Sequence, residues 1–162
     1  MAERQLVQAL YNFDINTAGG LRKVFPQAAA GVAVTSGAHV FGSWTQIVAA
    51  GVLDNPTYIV GVIPSSPTTP TADEEYRIDL AVGASGSEVS LSSNSNTAKG
   101  LSGLGLSFVS SVGIFALTEL DFGKVIFKIS GSPRLSAAVS EFLVGSTSIS
   151  LAVVTWTPST AV

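Results

Sequence analysis

From about residue 30 onward, apolar and polar positions alternate with a period of two, as in strands that bury one face. In "EEYRIDLAV", Tyr76, Ile78, Leu80 and Val82 fall on one side and Glu75, Arg77 and Asp79 on the other. In "KVIFKIS", Val125, Phe127 and Ile129 alternate with Lys124, Ile126 and Lys128. "RLSAAVSE" sets Leu135, Ala137 and Val139 against Ser136, Ala138 and Ser140. "STSISLAVVTWT" sets Ile149, Leu151 and Val153 against Ser148, Ser150 and Ala152. "WTQIVAA" and "TYIVGVIP" are apolar on both sides, which suits central strands or a surface between subunits.

Turn chemistry separates these runs at "DNP" (54–56), "PSSPTTPTAD" (64–73), "GASGS" (83–87) and "SGSP" (130–133). Pro64, Pro67 and Pro70 make the second an extended loop, because proline cannot continue a hydrogen-bonded ladder. The pattern predicts strands over 30–36, 42–50, 57–64, 74–83, 87–92, 108–117, 123–130, 133–141 and 147–157. No stretch after residue 30 carries helical periodicity. The expected fold is all-β, an antiparallel β-sandwich of jelly-roll type.

Two segments break the rhythm. Within residues 1–28, "ERQLVQALYNF" predicts a short helix with Leu6, Val7, Leu10 and Tyr11 on one face, and "NTAGGLRKVFPQ" reads as a connector. This region is either a first strand folded into the core or an arm reaching a neighbour. Gly19–Gly20 set it apart and favour the arm, so the chain divides into an N-terminal arm (1–28) and a sandwich domain (29–162). Residues 93–107, "SNSNTAKGLSGLGLS", read as a long surface loop of the kind a partner often orders.

Composition sharpens the picture. The chain has 162 residues, enough for one domain with a substantial core, and only 12% of them are charged, against about a quarter in typical domains. Either Ser, Thr and Gly form much of the exterior, or part of it is buried against partners. Strands such as "TYIVGVI" look too apolar to leave both faces wet, and a symmetric oligomer would bury them. Cysteine is absent, which removes disulfides and thiolate chemistry. A net charge of −3 with scattered basic residues argues against nucleic-acid binding. No apolar run is long enough for a membrane-spanning helix. The opening "MAERQLVQALYNFD" has the wrong order of charge and apolar residues for a signal peptide, so use without secretion is expected.

Candidate chemistry is sparse. The single histidine, His39 in "SGAHVFGSW", cannot form a metal site of the usual nitrogen and sulfur type, and no G-x-S-x-G elbow accompanies it. It reads as a turn or strand-edge residue. Glu75 and Asp79 share a strand face around Arg77, where ion pairing would keep both carboxylates ionised and inert. A calcium site at Asp73–Glu75 or near Glu88 lacks any EF-hand spacing. "GLSGLG" and "GASGSE" lack the phosphate-loop pattern, and Gly83 and Gly86 instead suit a tight corner between strands. Trp44, Tyr58, Tyr76 and Trp156 suit a core or an interface better than a sugar platform. No catalytic residue, cofactor or metal is therefore expected; the enzyme alternative is a jelly-roll carbohydrate-active hydrolase or lyase using Glu75, Asp79 or His39.

"GSWTQIVAA", "YIVGVIPSS", "YRIDLAVGASGSEVSL" and "SGSPRLSAAVS", in that order before a Ser/Thr-alternating final strand, resemble the small β-sandwich virion proteins of tailed bacteriophages. The resemblance covers roughly residues 40–157, and its motifs are structural. The chain departs from the pattern at Pro133–Arg134 and at Ala138–Val139, where a basic residue is common. The resemblance implies a capsid decoration (cement) protein on the capsid exterior, assembled in the host cytoplasm. Such a protein acts as an oligomer, often a trimer, bound to the major capsid protein or other virion proteins. The alternative is a tail or fibre component that binds host glycan. Capsid-anchoring candidates are Leu6, Leu10, Tyr11, Phe13, Arg22, Lys23 and Phe25; oligomer-interface candidates are Trp44, Tyr58, Val60, Arg77 and Asp79.

Overall fold

The computed structural model describes residues 20–27, 31–65, 74–91, 104–109, 114–117, 127–142 and 147–158. Among them every regular element is a strand. In chain order these are β1 (Gly20–Phe25), β2 (Val32–Ala38), β3 (Thr45–Val48), β4 (Thr57–Ser65), β5 (Glu74–Val82) and β6 (Val89–Ser90). They continue with β7 (Leu104–Val109), β8 (Ile114–Leu117), β9 (Phe127–Ile129), β10 (Leu135–Glu141) and β11 (Ser148–Pro158). The helix expected in "ERQLVQALYNF" lies outside the described residues, as do Leu6, Leu10, Tyr11 and Phe13. No helix long and apolar enough to cross a membrane is present among the described residues.

The strands join in one network, ordered β8-β7-β5-β10-β2-β11-β4-β9, with β3 beside β10, β1 beside β11 and β6 beside β5. It curls into a half-barrel around a single core. Two long strands organise it. On one side β10 pairs with β5 over its full length, and on the other with β3 and then β2. β11 pairs with β4 on one side, and on the other with β2 and then β1.

β2 is the link between the halves. Val32–Thr35 pair antiparallel with β11, whereas Ser36–Ala38 run parallel to Val139–Glu141 of β10. The sheet is therefore mixed rather than purely antiparallel, a correction to the sequence expectation. The physical reason lies in "GAHVFG" just beyond the crossing. His39 sits at φ 58° and donates its N–H to Glu141 O at 2.8 Å, and the chain then hooks back so that Gly42 N–H reaches Val139 O at 2.9 Å. A Cβ on Gly42 would lie 2.5 Å from Thr35 O, and one on Gly37 would lie 2.5 Å from Val40 O. Only glycine lets the two limbs of the hook pass so closely.

The period-two faces lie as the alternation predicts. Ile149, Leu151 and Val153 of β11 meet Leu135, Ala137 and Val139 of β10, Tyr76, Ile78 and Leu80 of β5, and Val34 of β2. Burial of each large aliphatic side chain contributes about 1.5–3 kcal/mol before conformational entropy is counted. β10 is buried on both faces, including Ser136 and Ala138. In β4 the register shifts between Val154↔Gly61 and Thr155↔Ile59, which leaves Val60 as an extra residue. The bulge returns Ile59 to the core while Tyr58 packs against Trp156 on the other face, and Tyr58, Ile59 and Val60 are all buried, so the chain itself covers this part of the strand that looked too apolar for a monomer.

Other differences are local. The strand expected over 108–117 is two strands, with β7 and β8 paired from Leu106↔Leu117 to Val109↔Ile114. Residues 104–107, expected in a loop, open β7. Residues 20–25, expected in a connector, form β1.

Candidate functional site

The "GASGSE" corner contains the charged residues that invite a chemical reading. After β5 the chain turns at Gly83 (φ 131°) and Gly86 (φ 81°) and returns as β6, pairing Ala81 with Ser90 and Val82 with Val89. A Cβ at Gly83 would lie 2.6 Å from Ser87 O, so the turn closes only with glycine there. Gly83 N–H donates to Arg134 O at 3.1 Å, and Ser87 N–H to Ala84 O at 3.0 Å. Arg134 Nη1 donates to Glu88 Oε1 at 2.6 Å and Arg134 Nε to Gln46 Oε1 at 3.0 Å, while Gly86 N–H caps Glu88 Oε2 at 2.9 Å. The Arg134 hydrogen bond holds the Glu88 carboxyl below its usual range; partial burial pushes the other way, and the Glu88 and Gly86 amides assist the lowering.

Asp79, on the other side of the corner, is also engaged. It is 7% exposed, accepts from Leu80 N–H at 2.9 Å through Oδ1 and from Ser90 Oγ at 2.6 Å through Oδ2. The Arg77 guanidinium lies 4.8 Å from the centroid of the Phe142 ring. The ion pair that closes this corner is Glu88–Arg134, made across the sheet. The sequence signal was Arg134 itself, an odd cation in a corner that opens the strand facing Val82.

A buried acid stands apart from these ties. Glu141, the last residue of β10, is 1% exposed; its Oε2 accepts from Thr147 N–H at 3.4 Å, and its Oε1 has no hydrogen-bond partner. Among the described residues no group of three His, Cys, Asp or Glu side chains is placed to hold a metal ion. The structure does not bring His39, Glu75 and Asp79 to one cleft: His39 and Glu75 are exposed, whereas Asp79 is tied beneath β6.

The outer face of the β11 half has a different character. Its rows run Thr35–Ser148, Ala33–Ser150–Ser65, Ala152–Ile63, Val24–Val154–Gly61 and Arg22–Trp156–Tyr58–Lys128. The first four rows hold no charged side chain, and Ile63 is 47% exposed among small neighbours. In the last row Tyr58 meets Trp156 edge to face at 5.6 Å, and Lys128 Nζ lies 5.8 Å from the Tyr58 ring.

The anchoring and interface candidates are therefore dispersed. Arg22 is exposed on this outer face. Lys23 pairs with Asp54 at 2.5 Å and Phe25 is buried in the core. Tyr58, Val60 and Asp79 are buried within the single chain, Trp44 is half-buried, and Arg77 is exposed. Residues that pattern reading passed over include Gly20, against whose backbone the Trp156 indole packs, and Glu141.

No family model matches the chain, and no curated protein or solved structure matches it either.

Proposed function

We propose that this chain is a non-enzymatic structural subunit of a bacteriophage particle, above all a decoration (cement) protein. It would bind the outer capsid surface as a homo-oligomer, with a trimer as the expected form, and stabilise the shell. On this reading the curled sheet is a jelly-roll-like sandwich that presents a docking face. The supporting observation is the outer face of the β11 half, charge-free over four rows and carrying exposed Ile63. Such a face offers hydroxyls and small apolar groups in place of charges, which suits contact with a protein surface. A second support is that Glu88, Arg134 and Asp79 are occupied in closing a corner, which is structural work. Many weak contacts of this kind add up when copies are arrayed on a lattice.

Mass spectrometry and cryo-electron microscopy of purified particles test the proposal. The expected result is many copies on the capsid exterior, with Ile63→Glu copies lost from it. Particles that carry the protein only in the tail would replace this reading with the tail or fibre one, and particles without it would end both.

A further inference from the structure

β1 and β2 lie end to end on the same edge of β11. Gly20–Phe25 pair with Pro158–Val153, and Val32–Leu151 is the next pairing along that edge. Along β11, Val153 and Leu151 are two residues apart, roughly 7 Å of strand. The chain that joins Phe25 to Val32 is six residues long, residues 26–31, and could span up to roughly 23 Å when extended. The connector's reach is therefore roughly three times the gap it crosses.

Among the described residues, the side-chain ties that hold β1 lie on what receives it. Lys23 pairs with Asp54 in the β3–β4 connection, and Thr155 Oγ1 donates to Lys23 O at 3.4 Å. The Trp156 indole packs over Gly20, and Phe25 enters the core. None of these ties involves β2, the strand to which β1 is joined. Leu21, at 56% exposed, and Arg22 add little to the hold.

From this geometry we infer that β1 is an exchangeable strand, docking on the β11 edge of a second copy of the chain. The partner is specified by chemistry: the edge already accepts "GLRKVF", and another copy offers the same six residues in the same register. The exchanged form would keep the ties named above, now made to the second copy, and would differ in which copy the link from Phe25 to Val32 joins. Straightening that connector carries β1 away from its own β11 and toward a neighbour's. The inference deepens the reading that copies of the chain assemble, and it can fail while that reading stands.

The absence of cysteine makes the test direct. Leu21↔Thr157 and Val24↔Val154 are register pairs three residues apart, so one of the two is the closer, non-hydrogen-bonded type that a disulfide bridges most readily. Single variants Leu21→Cys and Thr157→Cys, or Val24→Cys and Val154→Cys, are mixed, unfolded and refolded together, then oxidised with glutathione disulfide. A chain with one cysteine cannot cross-link internally, so a 21–157 or 24–154 link located by peptide mass joins two copies. The expected result is such mixed dimers at the concentration where light scattering shows the oligomer. Double variants that close entirely within single chains, with no mixed dimer from either set, would overturn the inference even if the oligomer persists.

Discussion

Gly42→Ala probes the hook that lets β2 serve both halves of the sheet. The new Cβ would sit 2.5 Å from Thr35 O, 3.2 Å from Gly37 N and 3.3 Å from Ser36 C. A comfortable carbon–oxygen approach is about 3.3 Å, so the shortfall against Thr35 is roughly 0.8 Å. All three neighbours are backbone, and no side chain can swing aside. The limbs must part, straining the bonds from Gly42 N–H to Val139 O and from Ser36 N–H to Thr147 O, each 2.9 Å long. Overpacking costs about 1–3 kcal/mol, and each backbone hydrogen bond weakened costs about 0.5–1.5 kcal/mol. The stiffer unfolded chain returns about 0.4–1 kcal/mol. The net expectation is a loss of about 1–5 kcal/mol, a fall of roughly 0.5–2.5 M in urea midpoint for a slope of about 2 kcal/mol per M. Gly61→Ala is the control, because its Cβ would meet only Val154 side-chain atoms at 3.6 Å. That change should be neutral or slightly stabilising. Urea unfolding followed through Trp44 and Trp156 fluorescence reads both variants. Equal midpoints for the two would refute the argument that the crossing depends on a close backbone approach.

Three further expectations follow from named contacts. The Glu88 pKa is lowered in the folded state, so the stabilisation from its pairing is complete above the ordinary glutamate range and is lost as pH falls through the lower folded value. Arg134→Met should flatten that acid-side loss in thermal melts taken across the pH series, and an unchanged slope would rule the pair out as its source. Glu141→Met removes a buried orphan oxygen worth about 1–3 kcal/mol and forfeits one long hydrogen bond worth about 0.5–1.5 kcal/mol, so a gain of about 1 kcal/mol in chemical denaturation is expected. Gly20→Ala places a methyl against the Trp156 ring and 2.5 Å from Thr157 O, and should loosen β1 by about 1–3 kcal/mol, seen as faster amide exchange over residues 20–25.

Local alternation made most of the strands readable. Ile149, Leu151 and Val153 are buried together because a pleated strand facing a core on one side must alternate, and that rule acts within a few residues. β1 escaped because "GLRKVF" carries two cations and three apolar residues that do not share a single face; its place is set by the edge of a strand more than a hundred residues away. Tyr58, Ile59 and Val60 looked like an intersubunit surface because a bulge disguises its own phase: the inserted Val60 interrupts the alternation, with Ile59 in the core and Tyr58 buried against Trp156 on the other face. The corner at 83–88 was recognisable from its glycines, whereas its charge partner was not, since Arg134 reaches Glu88 only after β10 has paired with β5. The parallel contact of β2 with β10 left no local mark beyond Gly37 and Gly42, whose meaning depends on what lies across from them.

The position of β11 in the order of synthesis has its own consequence. It is the strand on which β1, β2 and β4 all depend, yet residues 148–158 leave the ribosome after every one of them. At about 5–20 residues per second, β4 waits roughly 4–17 s for β11, the longer of its two hydrogen-bonding partners. During that interval the edge of β4 that β11 will cover is open to other nascent chains, so shielding residues 20–65 until residues 148–158 emerge should raise the yield of folded protein.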